Sequence, residues 1–301
     1  MVSISMGPRI LDGKETAAAI RETIRTDVAS LTGRKPGLGV ILVGDNPASL
    51  SYVKGKEKAC AEVGILSREV RLPENASHDD VLASVEAMNT AEDIDGILVQ
   101  LPLPGHLNEQ EILARIRPDK DVDGLHAQSL GSLLKGEPTF IPCTPYGVAM
   151  MLEHNGVEVS GAHVVIVGRS TLVGKTLANL LLLKGAGRDA TVTVCHSRTR
   201  DLGYHTRQAD ILIAAIGRPG TITGDMVRPG TVVVDVGVNR LDDPSRKRGY
   251  RLVGDVDFET VSPRASAITP VPGGVGPMTI TMLLKNTLEA AKMHLKQKGT
   301  L

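Results

Sequence analysis

The sequence predicts an α/β protein built as two domains with parallel sheets. Three observations carry that expectation. Short aliphatic runs alternate with helical stripes through the first half of the chain, the βαβαβ order of a parallel sheet covered on both faces. The alternation pauses around Pro142 to Gly147 and then restarts. The second series includes a strand, a glycine turn and a helix start over 164–174. A chain of 301 residues is long enough for two such domains, each with its own core.

The elements follow in order. Ala17 to Leu31 is predicted helical, with Ile20, Ile24, Val28 and Leu31 on one stripe. Gly39–Val43 is an aliphatic strand running into Gly-Asp-Asn-Pro. Leu50 to Val63 is the next helix, Arg68 to Leu72 a strand, Asp79 to Met88 a helix and Asp95–Val99 a buried strand. Beyond the pause, Val148 to Asn155 is a helix, His163–Val167 a strand and Val173 to Leu183 a helix. Thr191 to Cys195, Ile211 to Ala215 and Val232 to Asp235 are further strands. Asp242 to Arg251 is charged and reads as a loop or β-turn excursion. Met278 to Lys298 forms a long helix with Leu284, Leu288, Ala291 and Leu295 at helical spacing. It follows the completed second sheet, so it is expected to pack back on the first domain. The resulting division is 1–145 plus 272–301 for the first domain and 146–271 for the second.

Lys plus Arg and Asp plus Glu each count 34, and zero net charge argues against a dedicated nucleic-acid or membrane-surface protein. With no Trp, two Phe and four Tyr, the core must be aliphatic and any base-stacking platform thin. Cys60, Cys143 and Cys195 are odd in number and far apart, with neither a metal spacing nor a disulfide framework. No leader-like segment and no apolar stretch near the roughly 18 residues of a spanning helix is visible. The expectation is a soluble cytoplasmic protein without a metal.

The turn Gly168-Arg-Ser-Thr-Leu-Val-Gly174 has the strand–turn–helix order of a dinucleotide site, which makes the second domain Rossmann-like. Its spacing departs from the usual fingerprint: Ser170 takes the second glycine position, and Gly174 comes one residue late. Gly168 permits the tight turn, and free amides at the helix start attract phosphate oxygens. The next strand ends at Cys195 and runs into His196-Ser-Arg-Thr199, where an NAD site would carry an acid. Arg198 and Arg169, with Ser197, suit a ribose phosphate instead, so NADP is expected rather than NAD. A solvated basic loop is the plainer alternative.

Tyr52 and Lys56 stand one helical turn apart and share a face. A buried lysine can lose its proton near neutral pH and act as a base. Lys54 and Lys58 on the same helix read as surface residues. Gln100 lies just past the carboxyl end of its strand, where parallel sheets place their ligands, and there it serves either as a partner of the lysine amine or as a loop-capping amide. Asp121-Val-Asp-Gly124 offers two acids with too few neighbouring oxygens for calcium. A single carboxylate there suits the amino group and ring N–H of a heterocycle, and Asp123 is the chosen one. Pro272-Gly-Gly-Val-Gly-Pro-Met278, directly before the last helix, reads as a rigid wall with bare backbone or as an interdomain linker.

Taken together, these segments resemble the bifunctional methylenetetrahydrofolate dehydrogenase/methenyltetrahydrofolate cyclohydrolase (FolD) family. The matching pieces are Ser-Tyr-Val-Lys-Gly-Lys at 51–56, Val-Gln-Leu-Pro-Leu-Pro at 99–104, Lys-Asp-Val-Asp-Gly at 120–124 and Pro-Cys-Thr-Pro at 142–145. Val-Gly-Arg-Ser with Val-Gly-Lys at 167–175 and Pro-Gly-Gly-Val-Gly-Pro-Met-Thr at 272–279 complete an ordered set spanning nearly the whole chain.

The resemblance implies two reactions. Hydride leaves the methylene carbon of a tetrahydrofolate substrate for the nicotinamide of NADP, and water then opens the methenyl cation to formyl-tetrahydrofolate. It implies that Lys56 is the general base and acid, that Tyr52 positions the folate, that Gln100 keeps the amine usable and that Asp123 anchors the pterin. Thr144, Arg169, Ser170 and Ser197 resemble cofactor contacts, and Gly273 and Gly276 resemble the wall beside the substrate, with Pro272 at its start. A homodimer is typical of the family. Thr176 stands where a proline is common, implying a looser helix start, and Tyr146 where a basic or polar residue is frequent. Two rival readings remain. Tyr-x-x-x-Lys also marks short-chain carbonyl reductases, although there the pair follows the cofactor turn. A non-catalytic NADP-binding regulator would bind the cofactor without turnover.

Overall fold

The computed structural model describes residues 7–246 and 249–299. Its strands are β1 (Arg9–Ile10), β2 (Gly37–Val43), β3 (Leu66–Leu72), β4 (Gly96–Val99), β5 (His163–Val167), β6 (Thr191–Cys195), β7 (Ile211–Ala214), β8 (Val232–Asp235), β9 (Asn239–Asp242), β10 (Tyr250–Val253) and β11 (Ala267–Ile268). Its α-helices are α1 (Gly13–Ser30), α2 (Pro47–Val63), α3 (His78–Thr90), α4 (Glu109–Arg115), α5 (Ala127–Lys135), α6 (Cys143–His154), α7 (Gly174–Leu182), α8 (Leu202–Thr206), α9 (Phe258–Val261) and α10 (Val275–Gln297). The α/β class with parallel sheets is as expected. Two compact units emerge, one of 18–143 with 280–301, the other of 1–17 with 144–279.

The lysine-bearing unit holds the parallel sheet β3-β2-β4. All seven residues of β2 are buried, as a central parallel strand covered on both faces requires. Edge strand β3 keeps its Ser-Arg-Glu segment exposed, a charged edge that discourages further pairing. Ile41, Ile97 and Val99 pack with Val81, Val85 and Met88 of α3 in one apolar cluster. From Ile280 onward the last helix belongs to this unit. There Asn286 donates its amide to the carbonyls of Val122 (2.8 Å) and Ile141 (2.9 Å), and His294 meets the buried Asp95 at 2.9 Å.

The second unit is a six-stranded parallel sheet in the order β1-β11-β8-β7-β5-β6. Val165, Val167, Leu212, Ala214 and Val233 lead its aliphatic core. Much of the 242–251 excursion closes an antiparallel hairpin of β9 and β10. The helix expected at 148–155 begins earlier, at Cys143, because Pro145 sits in its first turn, where a missing N–H costs nothing. No helix among the described residues is long and apolar enough to cross a membrane.

Candidate active site

The buried face of α2 reads Ser49, Val53, Lys56, Cys60 and Val63, spaced by three or four residues. Lys56 therefore occupies a core-facing position and is only 8 % exposed. Lys54 and Lys58 face solvent, as expected from the sequence. Tyr52, one turn before Lys56, is 42 % exposed. Burial pushes the Lys56 ammonium below its ordinary value, against the opposing pull of Asp123 and the Cys143 and Cys60 sulfurs.

Gln100 follows β4, and its Oε1 accepts a hydrogen bond from Lys56 Nζ at 2.9 Å. Its own Nε2 donates to the Leu101 carbonyl at 2.6 Å. That second bond fixes the amide with its oxygen toward the amine, since the flipped group would set N–H against N–H. A neutral lysine has one lone pair and two N–H donors. With one N–H engaged by Gln100, the lone pair is directed elsewhere, toward a proton it can accept. The loop-capping alternative for Gln100 accounts for its Leu101 bond and not for the lysine.

The two acids of the 121–124 segment separate cleanly. Asp121 accepts from the Leu125 and His126 amides and from the Ser129 hydroxyl. It ties the start of α5, and burial pushes its carboxyl up to about 6 against those bonds. Asp123 remains partly open. Loss of surrounding water raises its carboxyl above the ordinary value, while the Lys56 charge and a Cys143 hydrogen bond oppose the rise. Gly124, at φ +74, lies so close that a Cβ would stand 2.6 Å from the Pro142 nitrogen. This close approach brings Cys143 to Asp123. Cys143 is wholly buried, its thiol pushed well up by burial and then by Asp123. The sequence reading singled out no role for it, because a lone buried cysteine looks like any small apolar residue. Lys56, Gln100 and Asp123 thus come together in one unit, with the exposed Tyr52 one turn before Lys56 on α2.

The second unit holds the cofactor candidates. Gly168 has φ +130, and a Cβ there would collide with the Ala215 carbonyl. Gly174 opens α7, and a Cβ there would collide with the Gly168 carbonyl. The turn is thus a tight backbone cradle; no side chain caps α7, and of its first-turn amides that of Lys175 donates to the Ser170 carbonyl at 3.0 Å. Ser170 accepts from the Val173 amide at 3.2 Å and shapes the turn. The looser helix start expected at Thr176 is corrected: its buried hydroxyl donates to the Thr171 carbonyl and ties the turn. Val167 and Cys195 are in register on neighbouring strands, so Arg169, Ser197 and Arg198, all exposed, leave the same sheet edge. The 196–199 turn is held by Thr199 Oγ1, which accepts from the His196 amide at 2.9 Å. Basic and hydroxyl groups with no acid at 196–200 fit a phosphorylated ribose.

Thr144, at the start of α6, shares a hydrogen bond of 3.1 Å with Thr279. Pro272 is exposed and follows a cis bond from Val271. The Gly273 carbonyl accepts from the Gly13 amide at 2.9 Å. Gly276, in the first turn of α10, would have only open space around a Cβ. The 272–276 segment is therefore a tied turn with one open face.

Two family models match the chain. The catalytic domain of tetrahydrofolate dehydrogenase/cyclohydrolase covers residues 11–123, and the NAD(P)-binding domain of the same family covers 142–295. The chain is 54 % identical over 287 residues to the bifunctional protein FolD of Salinibacter ruber, covering 95 % of this chain and 96 % of that one. It is 55 % identical over 291 residues to the Dehalococcoides mccartyi protein of the same name, with 95 % and 98 % covered. A solved structure of the Trypanosoma brucei methylenetetrahydrofolate dehydrogenase-cyclohydrolase, complexed with NADP and an inhibitor, superposes with TM-score 0.91 at 41 % identity, covering 97 % of this chain and 99 % of that one.

Proposed function

The chain belongs to the tetrahydrofolate dehydrogenase/cyclohydrolase family, and on that premise we propose how its residues divide the work. It is a bifunctional enzyme that oxidises methylenetetrahydrofolate to methenyltetrahydrofolate with NADP and hydrolyses the product to formyltetrahydrofolate. The carbonyl-reductase reading is not favoured. Tyr52 and Lys56 precede the glycine turn and belong to the other compact unit, and both family models match in order. Folate handling is assigned to 1–145 with 272–301 and NADP handling to 146–271, a division by role; by compactness 1–17, 144–145 and 272–279 group with the dinucleotide unit.

The observation that carries the residue assignment is the Lys56 amine, buried on a helix stripe and hydrogen-bonded to the Gln100 carbonyl. In its neutral form Lys56 accepts the proton of the water that attacks the methenyl carbon, and it returns a proton to the ring nitrogen as the ring opens. The methenyl carbon is already cationic, so the step needs a positioned base and no further electrophile. Gln100 aims the amine. Tyr52, exposed beside it, positions the folate. Asp123 receives the amino group and ring N–H of the pterin, and Pro272, Gly273 and Gly276 form a wall beside the substrate.

When bound, NADP supplies the hydride acceptor. Gly168 and Gly174 leave room for its phosphates, Ser170 and Thr144 contact it, and Arg169, Ser197 and Arg198 bind the ribose phosphate. Arg198→Ala is expected to weaken NADP about tenfold while changing NAD little, as loss of a charge-assisted bond to phosphate predicts. Fluorescence titration with both dinucleotides reads the difference, and equal losses remove the basis for the preference. The working form is a cytoplasmic homodimer, which light scattering on the purified chain tests for subunit number.

The direct test mixes protein, NADP and methylenetetrahydrofolate. Methenyl absorbance should rise and then decay; cofactor binding without either change would support the regulator reading. The pH dependence of hydrolysis has a definite sign. Activity needs neutral Lys56, so the rate climbs with pH and levels off above the Lys56 pKa. Because burial lowers that pKa, the plateau begins below the ordinary lysine value of 10.5. A rate that keeps climbing to that value would show a solvated base.

A further inference from the structure

Two carboxylates that take no part in the proposed site are buried in the second unit. Asp235 ends β8 and is 3 % exposed, and Asp255 follows β10 and is 0 % exposed. Asp255 gathers four donors. Its Oδ2 accepts from the Ile216 amide at 2.6 Å and the Gly217 amide at 2.9 Å. Its Oδ1 accepts from the Arg218 amide at 3.0 Å and from Asn239 Nδ2 at 2.8 Å. Three consecutive backbone amides thus converge on one carboxylate, as in an anion-binding nest filled by the protein's own anion. Asp235 holds Asp255 in turn, accepting its backbone amide at 3.0 Å and those of Gly237 at 2.9 Å and Val256 at 2.8 Å. Glycine is needed beside both: a Cβ at Gly237 would strike the Asp255 carboxylate, and one at Gly254 the Asp235 carboxylate.

The captured residues 216–218 leave β7 at its carboxyl end, the edge where open parallel sheets bind their ligands. The preceding residue, Ala215, touches the cofactor turn. Its amide donates to Val167 at 2.8 Å, and its carbonyl lies where a Gly168 side chain would be. In the sheet, β7 and β6 flank β5 on opposite sides. NADP held with its adenosine end after β6 at Ser197 and Arg198 and its phosphates at Gly168 would bring its nicotinamide end to the exit of β7.

We propose that Asp255 is a positioning residue for the dehydrogenase reaction, fixing the Ile216–Arg218 loop against which the nicotinamide end of NADP is oriented. The inference rests on the bifunctional reading above, and the two activities separate its failure from that one. The test uses Asp255→Asn, which turns an N–H donor toward a set of donors. Dehydrogenase kcat should fall about tenfold or more, the scale expected when a reacting ring is misaligned. The NADP Kd should change by less than about threefold, because the contacts at 168–174 and 197–198 are untouched. Hydrolysis of supplied methenyltetrahydrofolate without dinucleotide should stay near wild type.

Asn239→Ala guards against a folding failure. It removes one donor and leaves the three backbone bonds, and it should lower dehydrogenase kcat about two- to threefold with hydrolysis unchanged. Unchanged dehydrogenase kcat in the folded variants overturns the proposal. So does a parallel loss of hydrolysis and thermal stability in Asn239→Ala, which would mark the network as merely structural. A wild-type protein lacking both activities would instead overturn the bifunctional reading.

Discussion

Lys56→Gln should abolish hydrolysis of methenyltetrahydrofolate while NADP still binds. The expected loss is about a hundred- to ten-thousandfold, the usual contribution of a positioned base. Glutamine fills similar space on the buried stripe of α2 and still has an N–H for the Gln100 carbonyl, so folding should survive. It has no basic lone pair, so the attacking water keeps its proton. The cofactor candidates belong to the other compact unit, and NADP affinity should stay within about twofold of wild type. Stopped-flow absorbance of the methenyl compound reads the loss directly. Full retention of hydrolysis would reject Lys56 as the base.

Gly168→Ala should produce the opposite selectivity. At φ +130 an L side chain is strained by about 1–3 kcal/mol even with free space around it. Here the added carbon also meets the Ala215 carbonyl. Relief requires either β5 or the β7 exit to shift, and both border the cofactor turn. NADP affinity should fall about ten- to hundredfold, the equivalent of that strain, and dehydrogenase activity with it. Hydrolysis by the other unit should persist. Calorimetric titration of NADP against the variant, with hydrolysis assayed in parallel, checks both halves. An unchanged NADP Kd would mean that the turn is not the phosphate cradle.

Much of this was legible because aliphatic runs declare themselves. β5, β6 and β8 have the limits read from the sequence, since each is a short run rich in β-branched residues. β1 and β11 have two residues each, too few for any period. α4 and α5 are absent from the sequence-based expectation, although Asn108 caps the first and Gly136, in the left-handed region, ends the second. Those are readable signals, hidden by short lengths and, in α4, by a charged face. The structure brings Lys56, Gln100 and Asp123 together, and the sequence had selected all three. Spacing from Tyr52 drew attention to Lys56, but the physical mark was its place on the stripe from Ser49 to Val63. Asp255 left no local mark. Its partners at 216–218 and 239 are distant in sequence and meet only after the sheet has formed.

The division of the chain bears on how it is made. Ala18–Cys143 shares its unit with Ile280–Leu301, and the opening strand β1 pairs with β11 near the end of the other unit. A ribosome delivers residues from the amino terminus onward. The early half must therefore wait, incompletely sealed, until Ile280 and the residues after it have been made. The intervening dinucleotide module likewise lacks its outermost strand partner until Ala267–Ile268 emerges. Nascent chains stalled short of those residues should be open to proteases in a way that the released polypeptide is not.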